Sequence, residues 1–201
     1  MDFLRRNLLS TAAMAPLGVL AEPIAKVNDP ASSMVLSDFQ TGEGLKGISE
    51  SWTGFTDRVM GGVSNADFQS ATVAGRRCIR LTGQVTTANG GGFVQMALDL
   101  APRDGGFDAS AFRGLELLVH GNNEDYNIHL RTADVRWYDQ SYRATVFVEP
   151  EWQLVRLPWE SFSPNSIKEP FDASRLQRIG LLGWMREFDA DIALSRIALY
   201  A

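Results

Sequence analysis

The chain has 201 residues, 45% of them hydrophobic and 21% charged, the profile of a globular protein with apolar material for one sizeable core. Its formal net charge of −5, with no Lys/Arg cluster interleaved with aromatics, argues against nucleic acid as a partner. A lone cysteine, Cys78, excludes an intrachain disulfide framework and supplies no metal-ligand pair.

The first stretch, MDFLRRNLLSTAAMAPLGVLAEP, sets Arg5 and Arg6 ahead of a moderately apolar run from Leu8 to Leu20. Val19-Leu20-Ala21 offers the small residues that a signal peptidase reads, and Pro16 and Gly18 break a run already too short to span a bilayer. Residues 1–21 are therefore expected to be a cleaved export signal. The order Arg-Arg-Asn-Leu-Leu resembles a bacterial twin-arginine signal, which exports folded proteins, so the mature chain is placed in a periplasm. An uncleaved membrane anchor and a mitochondrial presequence are the alternatives. Residues 22–33, EPIAKVNDPASS, form a polar linker, and one folded domain is expected over 34–201.

From Met34 onward strands dominate. Period-two alternation places Val94, Met96 and Leu98 on one side of GGFVQMALDL, and Leu115, Leu117 and Val119 on one side of GLELLVHG. It does the same for Tyr126, Ile128 and Leu130 in DYNIHLRT, and for Tyr142, Ala144, Val146 and Val148 in SYRATVFVEP. Six further runs, MVLSDFQ, ADFQSATVAG, RRCIRLTGQV, EWQLVRLPW, RLQRIGLLGW and DIALSRIALY, bring the expected strands to about ten. In the last run the apolar phase slips between Leu194 and Ile197, which predicts a bulge near Ser195 and Arg196. No long 3.6-residue apolar stripe exists, so the expected fold is all-β, an antiparallel β-sandwich or jelly roll.

One stretch raises a question of its own. In SWTGFTDRVMGG, adjacent opposite charges lie within an apolar run closed by Gly61-Gly62. Read as extended chain, Phe55, Asp57 and Val59 share one face and Thr56, Arg58 and Met60 the other, so whichever face is buried takes a charge with it. In one reading Met60 packs in the core, the glycines form a bend, and the inward charge satisfies buried groups. In the other, the bend displays Asp57 or Arg58 at the rim as a partner contact.

Thr56-Asp57-Arg58-Val59-Met60-Gly61-Gly62-Val63-Ser64 resembles the signature of the complex I intermediate-associated protein 30 family. LTGQVTTANGGGFVQM, GLELLVHGNNEDYNIHLRT, SYRATVFVEPEWQLVRLPWESFSP and the closing RIGLLGW and IALSRIALY runs support the resemblance over most of residues 34–201. It implies a galactose-binding-like β-sandwich and a binding protein rather than an enzyme. The partners it implies are subunits or assembly intermediates of NADH:ubiquinone oxidoreductase. An exported chain would meet that complex from the periplasmic side, at its membrane arm.

A second set of residues points elsewhere. Asn127, His129, Arg131, Arg143 and Thr145 fall on one polar sheet face, with Trp137 and Tyr138 in a loop at its edge. Polar groups flanked by exposed aromatics suit sugar rings, so an exported carbohydrate-binding module is the alternative function. His120 and His129 are expected on the solvated faces of neighbouring strands, without the carboxylate or thiol that a metal site needs. Trp152 and Trp159 read as core, and Trp184 fits core or surface. No nucleophile elbow, phosphate loop or zinc motif appears, and Gly90-Gly91-Gly92 leads into a strand rather than a helix. No catalytic residue and no cofactor are expected.

Overall fold

The computed structural model describes residues 33–102 and 105–201. The expected export signal and residues 22–32 of the expected linker lie outside them. The described residues form twelve strands, all paired antiparallel, in two six-stranded sheets. One sheet contains β1 (Ser33–Asp38), β3 (Asn65–Val73), β4 (Arg76–Val85), β6 (Gly114–His120), β9 (Gln153–Pro158) and β12 (Phe188–Tyr200). The order is β3-β4-β12-β6-β9, with β1 also on β12. The other contains β2 (Trp52–Thr56), β5 (Phe93–Asp99), β7 (Glu124–Thr132), β8 (Ser141–Val148), β10 (Ser163–Asn165) and β11 (Leu176–Trp184), in the order β10-β8-β7-β11-β5-β2.

The alternating apolar positions of the two sheets meet in the core. Leu81, Leu115, Leu117, Ile192 and Leu194 of the first sheet pack with Met96, Leu98, Ile128, Leu130 and Ile179 of the second, all at most 2% exposed. The bulge falls where the apolar phase slips: β12 pairs with β6 at Leu194 and resumes at Arg196. Cys78 is buried on the first sheet with its thiol donating to the Ala71 carbonyl, as an inert side chain would be.

All ten expected strands form, and β2 and β10 are added to them. β2 lies inside the stretch singled out above, and there the extended reading fails. Strand geometry stops at Thr56, and Asp57–Met60 form a single 3-10 turn, so Phe55, Asp57 and Val59 do not line one face. Met60 is not in the core either, being 50% exposed. The two histidines also part company, because β6 and β7 belong to different sheets. His120 stacks on Trp152, and Trp152 stays outside the core with its Nε1 donating to the Val73 carbonyl. Trp159 packs against the core, as expected.

Candidate functional site

Asp57 opens the 3-10 turn, and its preceding residue Thr56 caps that turn by accepting from the Arg58 amide. The Asp57 side chain is fully buried. It has no cationic partner; four donors surround it instead. The Ser64 amide donates to Oδ1 at 3.0 Å, and the Ser64 hydroxyl donates to Oδ2 at 2.5 Å. The amides of Gly92 and Phe93 donate to Oδ2 at 2.6 and 3.2 Å. Burial alone would raise the carboxyl's pKa, but these hydrogen bonds outweigh it and hold the group below the usual carboxylate range. Ser64 spends its one proton on Asp57, so its oxygen is free to accept from the Thr86 amide at 3.0 Å.

This arrangement requires glycine for two distinct reasons. Gly61 ends the turn at φ 92°, a left-handed conformation that side chains resist. Gly62 is needed for space: a Cβ there would lie 2.3 Å from the Asp57 carboxyl carbon, and one on Gly91 would lie 2.3 Å from Oδ2. Asp57 thus ties the end of β2 and the start of β5, in one sheet, to the start of β3 and the end of β4, in the other. The buried charge is architectural. What the turn shows to solvent is apolar: Val59 is 72% exposed and Val63 40%, beside the exposed Met60. Arg58 is exposed and donates from Nε to the Ser64 carbonyl.

The outer face of the β10-β8-β7-β11-β5-β2 sheet is the second region. Its register places Phe55, Gln95, Leu182, Asn127 and Thr145 in one row across the strands. The next row is Thr53, Ala97, Gly180, His129 and Arg143. Three of those side chains are small, so the second row is a trough. On one side rises an aromatic band. Phe55 meets Phe93 edge to face at 6.0 Å, Phe93 meets Trp184 at 5.9 Å, and Trp184 reaches over to His129 at 4.9 Å. On the other side lie Arg178, paired bidentately with Asp99, and Arg131. The Gln95 amide leans over Gly180, where a Cβ would meet its Nε2 at 2.4 Å.

All five polar residues expected on one face, Asn127, His129, Arg131, Arg143 and Thr145, do share it. Trp137 and Tyr138 lie in the β7–β8 loop and are 66% and 75% exposed. Arg131 donates to both of their backbone carbonyls, and the Gln140 side-chain Oε1 accepts from the Arg136 and Trp137 amides, so the loop is held against the sheet end. His129 departs from expectation: it is 8% exposed rather than solvated. Burial, with the charges of Arg143 and Arg131, pushes its pKa down to about 3, so the ring is neutral at pH 7. Its Nε2 has no hydrogen-bond partner among the described residues. Arg143 lies over the Trp184 ring at 4.6 Å and donates to the Ser141 hydroxyl and the Asp139 carbonyl.

Sequence reasoning overlooked Ser64 and Gly91–Phe93 in the Asp57 network, and Phe55, Phe93, Gln95 and Gly180 on the sheet face. The glycine run before β5 was a usable signal, since amides at a strand start have donors to spare. Trp184 was visible but unplaced. Among the described residues no group of three His, Cys, Asp or Glu is placed to hold a metal ion. An open groove of about 550 Å³ on the opposite sheet is lined by polar side chains including Asn65, Gln84, Asn122 and Asp189.

The fold is shared with solved carbohydrate-binding modules. A family 11 module from Clostridium thermocellum, in complex with a beta-1,3-1,4-mixed-linked tetrasaccharide, superimposes with a TM-score of 0.65 at 12% identity, over 85% of this chain and 96% of that one. The family 11 module of the cellulosomal cellulase Lic26A-Cel5E of the same organism gives 0.63 at 14% identity, over 84% and 94%. A family 30 carbohydrate-binding module gives 0.52 at 20% identity, over 73% and 80%. These likenesses establish the β-sandwich fold. No curated protein sequence matches the chain significantly. The family described as Complex I intermediate-associated protein 30 (CIA30) matches residues 37–194, a span that contains the whole Asp57 network, and the chain belongs to that family.

Proposed function

We propose that this protein is a non-enzymatic binding protein that assists assembly of respiratory complex I by holding a protein partner, a subunit or an assembly intermediate. The observation that carries the reading is the family match over residues 37–194. The exposed Val59, Met60 and Val63, mounted on a turn that Asp57 fixes, are the surface on which such a partner would bear. We also propose that residues 1–21 are removed on export, that the folded unit begins near residue 34, and that the protein works at the periplasmic surface of the membrane. Deleting the gene should lower assembled complex I while sparing the other respiratory complexes. Tagged protein from native membranes should bring complex I subunits with it. Intact mass of the native protein should fit a chain starting at Glu22. Normal complex I in the deletion strain would refute the reading.

A specific observation favours a second reading, carbohydrate binding. The Phe55–Phe93–Trp184 band beside a polar trough is the kind of surface on which sugar rings stack. Saturable binding of one glycan by a protein whose deletion leaves complex I intact would select it.

A further inference from the structure

On the trough of the β10-β8-β7-β11-β5-β2 sheet, two polar groups have needs that the described residues do not meet. Arg143 is half-buried, yet among the described residues its guanidinium donates only to neutral acceptors, the Ser141 hydroxyl and the Asp139 carbonyl. Arg178, nearby on the same face, shows what the fold does when an arginine there is structural: Asp99 takes it in a bidentate pair. Next to Arg143, the buried His129 leaves Nε2 without a partner. Native proteins satisfy nearly all buried polar atoms, so an imidazole left without one beside an unmatched guanidinium marks a place where the missing partner comes from outside.

We propose that this trough binds a saccharide carrying a carboxylate, with Arg143 reading the carboxylate. The inference rests on the carbohydrate reading given above. The aromatic band provides the flat apolar wall for a sugar ring. Gln95, Asn127 and Thr145 line the adjoining row with groups that both donate and accept, as sugar hydroxyls do. The guanidinium, held over the Trp184 ring, supplies N–H donors to the carboxylate. A run of acidic peptide suits the site less well. It has no ring to lie against the aromatic band, whereas a uronate carries its carboxylate on one.

The test is titration calorimetry of the mature wild-type chain and an Arg143→Gln variant. The probes are oligomers of galacturonate, glucuronate and mannuronate, their methyl esters, the neutral mixed-linked tetrasaccharide and a glutamate-rich peptide. At least one uronate oligomer should bind, and its methyl ester should bind roughly ten- to a hundredfold more weakly, because esterification removes the charge that strengthens the hydrogen bond and leaves the ring. Arg143→Gln should lose the same factor for the acid and almost none for the ester. The ester comparison needs only wild-type protein, so it stands even where the variant misfolds. Equal binding of acidic and neutral sugars would overturn carboxylate selection while leaving the carbohydrate reading in place. Binding of no saccharide at all would overturn both, and binding of the peptide alone would replace them with a protein ligand.

Discussion

The Asp57 network and the outer face of the second sheet obey opposite rules. At Asp57 every buried polar atom is matched: four donors converge on one carboxylate, and Ser64 accepts what it does not give. On the outer face of the second sheet, among the described residues, His129 Nε2 goes without a partner and Arg143 donates only to neutral oxygens. A fully matched cluster has nothing left to offer a ligand and acts on stability. An unmatched one costs stability and keeps its capacity for something that arrives later. The comparison separates two motifs that composition alone would class together as charged residues among aromatics.

The largest expected effect strikes the matched end. Asp57→Ala takes the side-chain acceptor from three backbone amides, those of Ser64, Gly92 and Phe93, and Gly62→Val drives side-chain atoms into the carboxylate. Each should cost roughly 2–5 kcal/mol in denaturant unfolding. Wild-type midpoints for both would collapse the distinction between the regions.

A second measurement probes the unmatched end through pH. His129 has a folded pKa of about 3, well below its ordinary unfolded value. Between those values the unfolded chain takes up a proton that the folded chain refuses, so stability should fall as pH drops through the histidine range toward 3, by on the order of a few kcal/mol. Asp57 also loses stabilisation in acid, but only below the ordinary carboxylate range, since its folded pKa is depressed. The window from about pH 6.5 to 4.5 therefore reports chiefly on His129. Thermal melts of His129→Gln across it should be nearly flat where wild type slopes; parallel curves would show that the imidazole is better accommodated than its missing partner implies.

The smallest expected change in stability belongs to Val59→Ser combined with Met60→Ser. Both side chains face solvent, so the unfolding free energy should move by less than about 0.5 kcal/mol. Capture of partner proteins from native membranes should nevertheless fall sharply. Undiminished capture would shift attention from the turn to the sheet face.

Much of this architecture was legible in the chain. Alternation in Tyr126-Ile128-Leu130 and Leu115-Leu117-Val119 identifies strands because each buries one face, and the phase slip after Leu194 locates a bulge because a sheet cannot absorb an extra residue silently. β2 was hidden because its five residues are set by pairing with β5 rather than by their own pattern. The Asp57 network was half legible. That a charge near Gly61-Gly62 had to be hydrogen-bonded follows from burial, but its donors at Gly92 and Phe93 lie 35 and 36 residues along the chain, and only the topology brings them in. The His129 environment was illegible for the same reason: alternation assigns it a face, while Trp184 arriving from β11 decides whether that face is wet.

β12 has one further consequence. One of its edges is divided between two neighbours, β4 along Phe188–Leu194 and β1 along Arg196–Tyr200. The first strand of the sandwich therefore finds its partner only in Arg196–Tyr200, more than 150 residues further along. That sheet closes through a contact of high sequence separation, slow to form and exposed to capture by other proteins until it does. Trimming the last five residues would deprive β1 of its place as surely as deleting β1 itself.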